Sequence, residues 1–283
     1  MDFFSLFSSV QKFPVFVCAA IFLVLCPTDA LAAFIRFPSS ARVLSLGGAS
    51  AALADDASAV RSNPAGMVQS DGIALACGYA DIYAADGLYR AETAAVYARG
   101  ASAWGISWEK LGLQGTYDED VAAIAFARQI SDSTSVGAAV SSYKSEVKNF
   151  TTPFYKGPRS AAGFALGVLW QISDDILAAA VADNINEPQL ADGEKLAQSA
   201  RLGLRYHPFA SGLVTAEHET AGNVLRCGFE VVIGGMLPVR VGVERGRPTF
   251  GFGIETGFIS IDFALLSDHN LGQLYQTGVR MKL

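Results

Sequence analysis

The chain has 283 residues, 51% hydrophobic and 17% charged, with a net charge of −6 and a mean hydropathy of +0.30. That acidic balance excludes a nucleic-acid binder, which needs a basic face. Beyond residue 32 no stretch approaches the roughly 18 consecutive apolar residues of a membrane helix, so the apolar content is spread over short pieces.

At the N-terminus, Lys12 precedes an apolar run from Val15 to Cys26, followed by Pro27 and the small-residue series Ala30-Leu31-Ala32. This order predicts a secretory signal peptide over residues 1–32, cleaved after Ala32. The run is 12 residues long, short of the about 20 that span a bilayer as a helix. Leu25 stands before Cys26, where a lipoprotein signal wants a small residue. Removing 32 of 283 residues leaves 251, the size of one large barrel or two small domains. The removed part carries Lys12 against Asp2 and Asp29, so the remainder is at −5. Only Cys77 and Cys227 survive cleavage. Export permits a disulfide between them, but both fall on the apolar face of their strands and read as small lipid-facing hydrophobes.

Residues 33–70 do not alternate. Asp55-Asp56 ahead of Ala57-Ser58-Ala59-Val60-Arg61 predicts a short helix with an acidic cap. Asn63-Pro64 ends it, because the residue before a proline is pushed out of the helical region. Asn63 is placed to cap a further turn with Pro64 at its first position. Gly47-Gly48 permits tight packing or unusual backbone angles.

From residue 73 the pattern has a period of two, which sends successive side chains to opposite faces of a sheet. Phe250, Phe252 and Ile254 oppose Gly251, Gly253 and Glu255; Val239, Val241 and Val243 oppose Arg240, Gly242 and Glu244. Ile259, Ile261 and Phe263 oppose Ser260, Asp262 and Ala264, and Trp104, Ile106 and Trp108 share one face. The expected strands are 73–79, 88–97, 101–111, 121–128, 134–144, 161–171, 176–183, 198–206, 213–219, 225–232, 237–244, 248–256, 259–265 and 273–282. These are about fourteen, the even number of a bacterial barrel. The fold class is therefore all-β, a transmembrane antiparallel barrel over residues 71–283.

Such barrels alternate short periplasmic turns with longer outer loops. Arg99-Gly100, Ser131-Asp132-Ser133, Ser173-Asp174-Asp175, Gly234-Gly235 and Thr256-Gly257 are short turn clusters, each after an even-numbered strand. The two longest connections, Ser145 to Ser160 and Asn184 to Ala197, follow odd-numbered strands, which places the N-terminus in the periplasm and those loops outside. Thr220 to Val224 and Arg245-Gly246-Arg247 are short where long connections are allowed.

The polar face is mostly Gly, Ala and Ser, interrupted by Arg201, Arg205, Arg226, Glu230, Arg240, Glu244, Glu255, Arg280 and Lys282. In a barrel these face the lumen. Arg201, Arg205, Arg240, Glu244, Glu255 and Arg280 are the lumen-facing candidates, either for a solute or as interstrand ion pairs that hold the wall. His207, His218 and His269 lack metal-ligand spacing, so neither a metal site nor a cofactor is expected. His218 between Glu217 and Glu219 could serve as a base, yet no Gly-x-Ser-x-Gly nucleophile motif supports an enzyme. Aromatics including Tyr79, Tyr97, Trp104, Trp108, Trp170, Tyr206 and Tyr275 fall near strand ends or on the apolar face, as interfacial girdles do.

Ser45-Leu46-Gly47-Gly48-Ala49, then Leu53-Ala54-Asp55-Asp56-Ala57-Ser58-Ala59, then Asn63-Pro64-Ala65-Gly66-Met67 resemble the N-terminal signature of FadL-like long-chain fatty-acid transporters and PorV/PorQ-like barrel proteins. The resemblance continues at residues 163–170, at Asp183-Asn184-Ile185-Asn186 and at Asp268-His269-Asn270-Leu271-Gly272. It covers most of the mature chain, more closely on the PorV/PorQ side because the chain is short for a fatty-acid transporter. It implies a fourteen-stranded bacterial outer-membrane barrel with residues 33–70 folded into the lumen as a plug. Gly47, Gly48, Asp55, Asp56, Asn63, Pro64, Ala65 and Gly66 are then plug or gate residues. The implied function is passive transport of small hydrophobic molecules, with membrane lipids and a hydrophobic ligand as partners. The alternative is a scaffold or shuttle with a secretion-system or surface protein as partner.

Overall fold

The alternation of small inward residues and large outward ones lets one sheet curl until its edges meet. The computed structural model describes residue 34 and residues 36–148, 157–191 and 194–283; the expected signal peptide lies outside them. The strands are β1 (Gly72–Asp81), β2 (Leu88–Arg99), β3 (Ser102–Leu113), β4 (Tyr117–Ser131), β5 (Thr134–Val147), β6 (Arg159–Ser173), β7 (Ile176–Asp183), β8 (Gln189–Ala191), β9 (Glu194–Lys195), β10 (Ser199–Phe209), β11 (Gly212–Glu219), β12 (Val224–Ile233), β13 (Leu237–Glu244), β14 (Arg247–Glu255), β15 (Ile259–Asp268) and β16 (Gly272–Lys282). All but β8 and β9 form a closed antiparallel barrel of fourteen strands, each paired with its neighbours in sequence and shut by β1 against β16. Closure leaves no unpaired edge, the condition for crossing lipid with strands.

Every expected wall strand is present. β4 starts at Tyr117, four residues before the expected 121, because Asp118 and Asp120 hid the pattern; Lys110 Nζ lies 2.8 and 3.5 Å from their carboxylates. The β8–β9 hairpin between β7 and β10 escaped the sequence because strands of three and two residues are too short to show a period.

At one rim every turn spans two or three residues, as between Arg99 and Ser102, and the chain ends of the barrel meet there, Ile73 N donating to Leu283 O at 3.1 Å. The longer connections, including residues 184–198, lie at the other rim. The short connection Arg245-Gly246 there has positive φ at both residues, 51° and 78°, the backbone of a type I′ turn, whose twist matches that of its flanking strands.

Outward side chains form an apolar belt: Trp104, Ile106 and Ile124 are 60–64% exposed, and Leu225, Phe252 and Ile261 on other strands are exposed likewise. Cys77 and Cys227 are free and exposed on this outer surface. A belt of this kind is solvated by lipid, not water.

The main apolar clusters lie inside the barrel. Helix α1 (Ala41–Ser45) starts at Ser40, whose Oγ accepts from Val43 N at 3.2 Å. Helix α2 (Ala59–Ser62) is shorter than expected and has no side-chain cap; Asp56 Oδ1 instead accepts from Ser58 N at 2.7 Å in the turn before it, while Asp55 is drawn to Arg42. A 3₁₀ helix (Pro64–Gln69) follows, capped by Asn63 with Pro64 at its first position. Residues 36–70 touch strands on every side of the barrel: Val60 and Met67 pack on inward alanines of β3, β4 and β5, Ala51 and Ala65 on Leu169 and Val181, and Leu44 on Leu266 and Leu274. Each fully buried large apolar side chain of this kind contributes roughly 1.5–3 kcal/mol.

Candidate functional site

The inner segment and the inward wall residues meet in three distinct ways. The first is close backbone approach. A Cβ at Gly167 would strike Asn63 Oδ1, one at Gly137 would meet the carbonyl carbon of Pro64 at 2.5 Å, and one at Gly228 would meet Leu46 O at 2.5 Å. Gly47, at φ 72°, adopts a backbone that L side chains rarely take, and its N donates to Thr249 Oγ1 at 3.0 Å. Gly48 lies beside it at φ 80°, and a Cβ on Gly66 would overlap Ala54. Only glycine allows such contacts without displacing one backbone from the other.

The second is Asn63, which is fully buried. Its Nδ2 donates to Ala51 O at 2.9 Å and to Val168 O in the wall at 3.2 Å, while its Oδ1 accepts from Ala65 N at 3.1 Å. Ser135 Oγ of β5 donates to Ala65 O at 2.9 Å, which fixes the same triplet from the wall side. These four polar groups, Asn63 Nδ2 and Oδ1 and Ala65 N and O, are thereby satisfied away from water, as buried polar groups must be.

The third is a set of buried ion pairs, in two groups. Toward the short-turn rim, Arg240 pairs with Glu230, with Asp262 at 2.6 Å and with Glu255 at 3.2 Å. Arg280 shares Asp262 and Glu255 at 2.8 and 2.9 Å and reaches Asp56 at 3.7 Å. Arg42 from α1 joins through Asp55 at 2.6 Å and Glu230 at 3.5 Å, and Arg205 meets Asp55 at 3.4 Å. Burial pushes the Asp55 carboxyl up, but Arg42, then Arg205 and Arg280, outweigh it and hold it at about 2.

Toward the long-loop rim, Arg201 is wholly buried and pairs with Asp183 at 3.0 Å and Glu217 at 3.7 Å, while donating to Ser62 O at 2.6 Å and Ser50 Oγ at 2.9 Å. Arg226 bridges Glu217, Glu219 and Glu244 at 3.1, 2.6 and 3.2 Å. Arg36 of the inner segment adds a second cation to Asp183 at 3.0 Å. Burial and the neighbouring Arg201 charge pull its guanidinium down to about 10.

The six lumen-facing candidates thus divide: Arg205, Arg240, Glu255 and Arg280 gather in the first group, Arg201 and Glu244 in the second. Asp55 and Asp56 join the first, whereas Asn63, Pro64, Ala65 and Gly66 sit apart against β5 and β6. Sequence reading passed over Arg36, Arg42, Asp183, Glu217 and Asp262 as site residues. Inward parity was available for Glu217, two positions from Thr215 and Glu219, and for Asp262, two positions from Ser260 and Ala264; Asp183 stands two positions from Val181 and Ile185, and nothing local marks it or the two arginines. His218 meets Asn223 Oδ1 at 2.9 Å, and His207 meets Gly212 O, two separate contacts. No group of three or more metal-ligating side chains is found among the described residues.

Cavities flank the inner segment at both rims. One of about 410 Å³ at the long-loop rim is lined by Phe34, Phe37, Tyr143 and Leu196 together with Arg36 and Asp183. The Phe34 and Tyr143 rings meet edge to face at 5.2 Å. One of about 260 Å³ at the short-turn rim is lined by Arg42, Asp55, Asp56, Glu255, Arg280 and Lys282, among others. The first mixes apolar and aromatic side chains with charged ones, Glu119 and Arg245 among them; the second is mainly polar.

No protein-family model and no curated protein matches the sequence. Among solved structures, the chain is similar to the CymD monoaromatic hydrocarbon channel, with a TM-score of 0.68 at 14% identity over 86% of this chain and 97% of that one. A Pseudomonas aeruginosa FadL homologue gives 0.61 at 14% identity, over 89% and 100%. The Pseudomonas putida toluene transporter TodX gives 0.59 at 12% identity, over 85% and 95%. At these identities the likeness is one of architecture: this fourteen-stranded barrel shares its fold with these structures.

Proposed function

We propose that the protein is an outer-membrane channel of the FadL-like type that lets small hydrophobic molecules cross passively, with residues 33–70 as plug and gate. The observation that carries this reading is the long-loop cavity of about 410 Å³, whose Phe34 and Phe37 from the plug and Tyr143 and Leu196 from beyond it offer an apolar molecule a sheltered stop. Pockets of about 300–1,000 Å³ lined by aromatic and apolar side chains are the usual dimensions of a small-molecule site. The long-loop rim faces outside in this reading, and the signal peptide carries the chain to the outer membrane. Similarity in fold to channels for monoaromatic hydrocarbons and toluene adds support.

In this mechanism the solute leaves the membrane exterior for the cavity because its apolar surface is removed from water. Its onward passage needs the contact around Asn63-Pro64-Ala65 to shift, since close backbone approach blocks that side of the lumen. Nothing is transformed, so the protein acts as a conduit and not as an enzyme.

The test is uptake of radiolabelled toluene by a deletion strain carrying either the intact gene or Tyr143→Arg, together with mass spectrometry of small molecules retained by the purified barrel. Uptake restored by the intact gene and lost with Tyr143→Arg supports the channel. Unchanged uptake in the deletion strain, with no retained apolar ligand and a protein crosslinked in its place, overturns it in favour of a PorV/PorQ-like scaffold.

A further inference from the structure

One carboxyl group is set into the apolar side of the long-loop cavity. Phe34, Val121, Tyr143 and Leu196 pack together there, and Glu119 of β4 lines the same cavity two residues before Val121. Glu119 is only 8% exposed. Its Oε1 accepts from the Tyr117 hydroxyl at 2.7 Å and from Phe34 N at 3.4 Å. Among the described residues nothing donates to its other oxygen, Oε2, and no arginine, lysine or histidine nitrogen lies within 4 Å of the group. The charged groups that act on it most, Glu109 and Glu194, are carboxylates as well.

The arginines of the cavity are engaged elsewhere or stand far off. Arg36 is held by Asp183 and by Arg61 O, and Arg226 by three glutamates. Arg61 donates to Ser141 Oγ at 3.1 Å, with its guanidinium 6.0 Å from the Tyr143 ring centre. Arg245 lies in the turn between β13 and β14, seven strands from β4 around the barrel.

A buried acceptor left without a donor costs more than a formed hydrogen bond gains, so a ligand that brings a donor to Glu119 is favoured over one that does not. Four arginines and four carboxylates line the cavity, a balance that suits a neutral donor better than an ammonium group. A hydroxyl on an aromatic ring meets both conditions: its bond to a carboxylate is short and charge-assisted, and the ring finds the Phe34 and Tyr143 rings beside it.

We propose that the long-loop cavity selects aromatic molecules carrying a hydroxyl group over bare hydrocarbons, the hydroxyl donating to Glu119 Oε2 while the ring packs against Phe34, Tyr143 and Leu196. This rests on the reading of that cavity as the stop for an apolar solute and narrows the solute to phenols. A site built around a hydroxyl discriminates strongly against the analogue without it, because its own polar group is then left unpaired.

The experiment is isothermal titration calorimetry on the full exported protein, purified from outer membranes, with protein-free micelles as blank. The ligands are toluene, p-cresol, which adds a hydroxyl to toluene, and 4-methylanisole, whose capped oxygen has no proton to donate. The wild type is expected to bind p-cresol about tenfold more tightly than either of the others. Glu119→Leu, which has no acceptor, is expected to bring all three within about twofold. Should that variant fail to assemble, the wild-type contrast between p-cresol and 4-methylanisole still decides. Equal wild-type affinities for the three, or a preference for p-cresol that survives in Glu119→Leu, overturns hydroxyl selection and leaves the channel reading standing. Binding of none of them overturns the cavity as a solute stop, and the selection with it.

Discussion

Asn63 donates from Nδ2 to the carbonyl oxygen of Val168 at 3.2 Å, joining the inner segment to a wall residue 105 positions away in the chain. The same side chain caps the 3₁₀ helix through Oδ1. One residue therefore holds the turn together and fastens it to β6. Asn63→Ala removes the cap and both donor contacts, of which the cap alone is worth about 0.5–2 kcal/mol. Asn63→Asp keeps the acceptor but sets a buried carboxylate against two carbonyl oxygens, and it is expected to loosen the segment more. Limited proteolysis within residues 59–69 should rank the three proteins wild type, Asn63→Ala, Asn63→Asp in rising susceptibility; equal protection in all three would discard the fastening role.

Gly167→Ala tests close approach without removing any polar group. Its added methyl meets Asn63 Oδ1 and comes within 3.1 Å of Pro64 Cδ, so the segment must shift while β6 keeps its pairing. Gly257→Ala, with nothing within 4 Å of the new methyl, is the matched control. Hydrogen exchange of residues 59–69 should quicken in the first variant and stay as in wild type in the second. The outcome that contradicts the packing argument is equal exchange in both.

The Arg240 cluster carries a large penalty for incomplete removal. Arg240 is wholly buried among three carboxylates, and taking out one partner of such a network costs about 3–5 kcal/mol because charge is left uncompensated. Arg240→Ala should lower stability by that order in urea titrations of vesicle-embedded protein. Arg240→Lys restores only part of it, since one ammonium cannot replace a planar fork that reaches Glu230, Asp262 and Glu255 together. Full rescue by lysine would show that charge alone matters.

Asp55 sets an acid limit for the inner segment. Its carboxyl sits at about 2, below the ordinary value of 3.8. A carboxylate depressed in the folded state stabilises it fully above its unfolded value and loses that contribution as pH falls through the folded one. Its hold, on the order of 2 kcal/mol from a shift of that size, should therefore persist at pH 5 and fade between about pH 4 and 2. Asp55→Asn should show the loosened state at neutral pH with a flatter acid profile. Tryptic cleavage after Arg42 and Arg61 cannot be read at pH 2, so pepsin digestion across that window provides the measurement, and coincident wild-type and variant profiles would remove Asp55 from the account.

The outer belt gives a prediction about membrane residence. Ile106 is 60% exposed on the outward face of β3 between Trp104 and Trp108. Ile106→Arg should cost roughly 2–4 kcal/mol if the residue lies near the bilayer midplane, whereas the same substitution at Ile233, beside the short turn, should cost far less. Folding yields into vesicles compare the two; equal losses would place Ile106 away from the membrane core.

Sequence alone settled the wall. Because the period of two is local, Phe250, Phe252 and Ile254 declare their face whatever they pair with, and each of the fourteen strands could be located. The asymmetry of the connections fixed both barrel ends at one rim for the same reason. What no window of sequence contains is the register between strands and the position of residues 36–70 against them. Arg201 meets Asp183 and Glu217 only because β10 lies between β7 and β11 in one particular alignment, and a slip of one residue would turn those charges outward. Arg42 finds Glu230, and Asn63 finds Val168, only once closure has brought every inward face around the segment. Periodicity determined which residues face inward; closure and register, which act over a hundred residues and more, decided what they meet there.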